Sequence, residues 1–96
     1  MLFMVIEHYK KPSAVYARFR EKGRMLPEGL EYLTSWVDTD LATCYQLMRT
    51  TDITLFKKWT SKWDDIVKFE IIEVMPPEQA RKIMEQNKPP NLPKSI

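Results

Sequence analysis

Apolar residues dominate the opening stretch MLFMVIEHY, which is rich in strand formers and is stopped by KKP. This predicts a first strand over residues 2 to 9. Val15, Tyr16, Phe19 and the stem of Lys22 follow at three- and four-residue spacing, the mark of an amphipathic helix. Pro12 suits a first helical turn, Ser13 can cap it, and Gly23 suits its C-terminal end. LEYLTSWV then alternates, with Leu33, Ser35 and Val37 on one side and Tyr32, Thr34 and Trp36 on the other, so it reads as a strand. DTD is a turn, and LATCYQLMRT completes a hairpin. Thr51 or Asp52 can cap a second helix whose stripe is Leu55, Phe56, Trp59 and Trp63, ended by Asp64 and Asp65. IVKFEIIEVM is a fourth strand, broken by Pro76 and Pro77, and PEQARKIMEQN is a third helix with a thin apolar face of Ala80, Ile83 and Met84.

The order strand, helix, strand, strand, helix, strand predicts a ferredoxin-like α+β fold. Its four-stranded antiparallel sheet carries both main helices on one face, with an extra C-terminal helix. Residues 1 to 88 form the single expected domain, and residues 89 to 96 a proline-rich tail, loose or bound to a partner.

One layer of helices covers one face of such a sheet, so the other should be polar if it meets water. The first strand sets Phe3, Val5, Glu7 and Tyr9 against Met4, Ile6 and His8; the fourth sets Val67, Phe69 and Ile71 against Glu70, Ile72 and Val74. Both faces are largely apolar. A second sheet from another copy of the chain would cover the remaining face, which predicts a two-fold homodimer. Cys44, Gln46 and Met48 are expected on that partner-covered face. Trp36 joins them if the hairpin loop is odd and falls opposite Thr43 and Tyr45 if it is even, a register the sequence leaves open.

Composition narrows the function only slightly. A 96-residue chain with a formal charge of +2 is one domain without the charge that nucleic acid demands. Its basic residues Lys10, Lys11, Arg18, Arg20, Lys22 and Arg24 cluster in the first third and read as a solvated helix face. The lone Cys44 makes no intramolecular disulfide, MLFMVI is too short to span a bilayer, and the charged residues after it argue against a leader. A cytoplasmic protein with no membrane or nucleic-acid partner is the expectation.

The candidate chemistry is sparse. Glu7 and Glu70 lie on neighbouring strands, and if both point into the barrel, one carboxyl beside Gln46 would keep its proton near neutral pH and serve as an acid or base. The competing reading is a pair of structural carboxylates bonded to Arg18, Arg49 or a partner chain. His8 is the only histidine and makes no metal site alone, and its strand position groups it with Met4 and Ile6 under the helices or at the strand end. Cys44 reads as a small buried hydrophobe rather than a nucleophile. Trp59 and Trp63 read as helix packing, and Tyr32 and Trp36 as the aromatics able to face a ligand. With two glycines in the chain, no phosphate-cradling loop exists, and no cofactor is implied.

The segments MLFMVIE, YARFREKGRMLPEGLEYLTSWVD and CYQLMRTTDITLFKKWTSKWDDIVKFEIIEV resemble a bacterial domain-of-unknown-function family, number 3303, placed with the dimeric α+β barrel superfamily. The resemblance spans roughly residues 1 to 75 and leaves the third helix and tail outside. It implies the fold and the dimer, and no reaction: that superfamily holds monooxygenases, lactone isomerases, haem-degrading enzymes and stress proteins. The resulting expectation is a homodimer that encloses, between its paired sheets, a pocket for a small apolar organic molecule. Glu7, Tyr32, Trp36, Cys44, Gln46, Met48 and Glu70, with Phe3 and Val5, are its candidate lining, and oxygenase- or isomerase-like chemistry enters by analogy alone. The rival expectation is a non-catalytic interaction module that works through its outer helices and tail.

Overall fold

The computed structural model describes residues 1 to 87. The proline-rich tail expected from residue 89 onward lies outside the described residues. Strands β1 (Leu2–Tyr9), β2 (Glu31–Val37), β3 (Thr43–Arg49) and β4 (Val67–Val74) form one antiparallel sheet in the order β2-β3-β1-β4. Helices α1 (Pro12–Lys22) and α2 (Thr54–Thr60) connect β1 to β2 and β3 to β4, and α3 (Pro77–Asn87) follows β4. This is the expected βαββαβ arrangement with its extra helix. Among the described residues no helix is long and apolar enough to cross a membrane.

Local chemistry sets the element ends, with three departures from expectation. Pro12 opens α1 after Lys11, so Ser13 lies inside the helix and no side chain caps it. At the other end Gly23, at φ 66°, donates its N–H to the Phe19 carbonyl at 2.7 Å, a left-handed position that glycine takes without strain. At the start of α2 the cap position falls on Ile53 and carries no side-chain cap, while the neighbouring Asp52 Oδ1 accepts from both the N–H (3.0 Å) and the hydroxyl (2.5 Å) of Thr54. The regular helix nevertheless stops at Thr60. Successive turns carry the apolar stripe onward, with Trp63 bonded to the Thr60 carbonyl and Val67 to the Trp63 carbonyl.

The hairpin turn settles the open register. Asp38 Oδ1 accepts the N–H groups of Ala42 and Thr43, and the Asp38 N–H reaches the Thr43 carbonyl at 2.9 Å. The loop is even, and Trp36 pairs with Tyr45. A bulge between Tyr32 and Thr34 then interrupts the alternation of β2: Tyr32 pairs with Met48, while Thr34 pairs with Leu47. An inserted residue moves the side chains before it to the other face, so Tyr32 and Trp36, grouped by simple alternation, lie on opposite sides.

The core sits between helices and sheet. Phe3, Val5, Met48 and Val67 from the strands meet Val15, Phe56, Trp59 and Trp63 from the helices and turns. Phe3 stands edge-on to Phe56 with centroids 4.9 Å apart, and Trp59 packs on Phe69 at 5.2 Å. Arg18 fastens α1 to the turn before β4 with a two-pronged bond to Asp65 (2.8 and 2.7 Å) and a third to the Lys62 carbonyl.

Candidate functional site

Pairing across the sheet decides which candidate residues can meet. Glu7 pairs with Cys44 on one side and Phe69 on the other, and Val5 pairs with Gln46. These residues, with Phe3 and Met48, face the helices, not a partner sheet. The pattern could not show this because both faces of β1 are apolar, so either could have received the helices.

Glu70 pairs with Ile6 and lies on the opposite, uncovered face. Its carboxylate accepts from His8 Nε2 at 2.6 Å, and both side chains are about half exposed. His8 is therefore on the open face and not under the helices. Glu7 and Glu70 do not meet. Trp36, 61% exposed, also lies on the open face, beside Tyr45.

The helix-facing residues line a cavity of about 220 Å³. Glu7, Tyr9, Cys44 and Gln46 form its strand side, with Ser35 and Val37 toward the β2 edge. Val15, Tyr16 and Phe19 of α1 stand opposite, and Trp59 and Trp63 close it from the second helical segment. Tyr16, Phe19 and Val37 are partly exposed and form its rim. Gln46 is 3% exposed and directs its amide N–H to the sulfur of Met48 at 3.2 Å. Met48 itself is fully buried core rather than lining.

Arg24 is the residue that sequence reasoning missed. Read in a basic run, it looked solvated; in the structure it lines the cavity. Its backbone carbonyl accepts the indole N–H groups of both Trp59 (2.9 Å) and Trp63 (3.1 Å), and Lys62 Nζ holds the neighbouring Met25 carbonyl at 3.1 Å. Met25 occupies the left-handed region at φ 59°, a conformation that these anchors stabilise. Above this clamp the guanidinium lies 3.6 Å from the Tyr32 ring centroid and 5.0 Å from that of Phe19. Its Nε is buried with no hydrogen-bond partner, and Arg24 forms no ion pair among the described residues. The available signal was the tryptophan pair: buried indole N–H groups need acceptors, and two on one stripe point to a shared one.

Burial dominates the electrostatics. It pushes the Glu7 carboxyl up to about 7 against the opposing pull of Arg24, Cys44 and Tyr9. Burial, and next the neighbouring Glu7, push the Cys44 thiol to about 11. The Tyr9 hydroxyl is raised by burial and then by Cys44 and Glu7. The arrangement thus holds one carboxyl that titrates near neutrality, two groups that keep their protons, and one cation. Cys44, 4% exposed, is expected to resist Ellman's reagent in native protein at pH 8 and to react fully in urea. Fast native labelling would show that the cavity opens around it. Among the described residues, no cluster of three or more His, Cys, Asp or Glu side chains is placed to hold a metal ion.

A family model described as a domain of unknown function, DUF3303, matches residues 1–88. The chain belongs to this family. The match includes α3, which the resemblance drawn from the sequence had left outside, so the third helix is part of the DUF3303 domain in this chain. No curated protein and no solved structure matches the chain.

Proposed function

We propose that this DUF3303 protein binds a small organic molecule in the cavity between its helices and its sheet, and that Glu7 moves a proton on it. One observation carries the reading. A half-enclosed, aromatic-walled cavity holds a carboxyl pushed up to about 7, near a guanidinium with no ion-pair partner among the described residues. A carboxyl with that pKa is matched to take a proton at neutral pH and to return it. A reaction class that balances with these groups alone is proton transfer beside a carbonyl: Glu7 takes a C–H proton, Arg24 stabilises the negative charge gathering on oxygen, and Glu7 returns the proton at another carbon.

The same proposal keeps the homodimer and moves the pocket out of its interface. Trp36 (61% exposed), Tyr45 (42%) and Ile72 (49%) stand on the uncovered sheet face, which a second copy would cover. Native mass spectrometry of protein taken gently from its own cells tests both parts. The expected result is twice the 11.5 kDa chain mass, with a small non-covalent adduct. Trp36→Glu is expected to give monomers that retain the adduct. A parent monomer would sink the dimer. An adduct retained by the cavity-filling variant Cys44→Trp would sink the cavity as its site.

A further inference from the structure

We infer that the ligand of this cavity is a small planar organic anion, a ring bearing a carboxylate, gripped by Arg24. The inference rests on the proposed binding role of the cavity and adds the chemical class of its occupant.

The Arg24 guanidinium is preset. Its backbone carbonyl is held by the two tryptophan N–H groups, and its Cζ lies over the Tyr32 ring, 3.6 Å from the centroid. A folded chain ordinarily gives such a half-buried cation a carboxylate or carbonyl acceptor. Among the described residues Nε has none, and the one acid that lines the cavity, Glu7, is driven toward its neutral form by its own burial. The site therefore holds a fork of donors without an anion, and a carboxylate fits that fork with two parallel bonds. Glu7 holds its proton part of the time near neutral pH, and with the Tyr9 hydroxyl it can donate to a bound carboxylate.

Size and walls define the rest of the ligand. A cavity of about 150 Å³ lined by apolar side chains admits benzene, so about 220 Å³ takes a ring with one small substituent. Tyr16, Phe19 and Trp59 supply the aromatic faces against which a flat ring packs.

Benzoate, benzamide and cyclohexanecarboxylate serve as matched probes, with binding to the full chain read by tryptophan fluorescence and by the indole and Arg Nε–H signals in NMR. Benzoate is expected to bind about tenfold more tightly than benzamide, as a charge-assisted bond would give. It should also bind more tightly than cyclohexanecarboxylate and shift the Arg24 Nε–H resonance. Arg24→Gln should lose the preference for benzoate while still binding benzamide, and Arg24→Lys should keep part of it. Equal binding of benzoate and benzamide, or an unchanged preference in a folded Arg24→Gln, would overturn the anion while leaving the small-molecule cavity standing. Binding of none of the three probes would overturn both.

Discussion

Replacing Trp59 with alanine is expected to cost about 3–5 kcal/mol, the range for emptying a buried aromatic site. A domain of this size has a total stability of only about 5–15 kcal/mol, so the variant should be largely unfolded at moderate urea concentrations. The indole is 2% exposed, packs against Phe69 at 5.2 Å, and donates to the Arg24 carbonyl at 2.9 Å. Its loss removes core volume and one of the two indole donors that hold the loop carrying Arg24. Trp59→Phe separates these effects. It keeps most of the apolar volume and deletes only the donor, so it should cost about 1 kcal/mol in packing-neutral terms, with Trp63 still holding the carbonyl. Urea denaturation followed by far-UV circular dichroism gives both values. If phenylalanine proved as damaging as alanine, the hydrogen bond rather than the packing would be the anchor.

That double duty explains what could and could not be read from the chain. Strand β1, helix α1 and helix α3 were legible because each has a sharp local stop: Lys10 to Pro12 after the strand, Gly23 after the first helix, Pro76 and Pro77 before the last. The choice of covered face was not legible. Phe3 and Val5 alternate with Met4 and Ile6, so hydrophobicity supports either side, and only the packing of Phe56, Trp59 and Trp63 selects the first. Tyr32 was misplaced for a different reason, since a bulge leaves no mark in a period-two pattern. The cavity was half legible. Glu7, Cys44 and Gln46 were named together as candidate lining but expected to face a partner sheet, whereas they face the helices; Trp36 and Glu70 belong to the other face, and Arg24 arrives from a loop. A loop residue carried in by hydrogen bonds to its own carbonyl has no periodicity to betray it.

Glu7→Gln is expected to stabilise the protein at pH 8 and to leave its stability nearly unchanged at pH 4. Folded, Glu7 holds its proton to about pH 7; its ordinary value is 4.5. A carboxyl whose folded value is raised contributes stability that is fully present below pH 4.5 and is lost as the pH rises through about 7. The loss amounts to about 3 kcal/mol by pH 8, an upper figure because the cavity admits some solvent. Glutamine keeps the shape and cannot ionise, so the variant escapes that loss. Asp65 works in the opposite direction and does not overlap. Arg18 holds it near 2, so its contribution is present above 3.8 and disappears only as the pH falls through about 2. Urea midpoints of parent and variant, measured from pH 4 to pH 8.5, should therefore coincide in acid and separate above pH 5. A variant less stable than its parent by the same amount at every pH would mean that Glu7 is a structural partner of Arg24, and the acid–base role would fall with it. A variant that gains stability at pH 8 identifies a carboxyl kept at a cost to the fold. Such a cost is expected where a group is retained for what it does to a ligand, and not for what it does for the core.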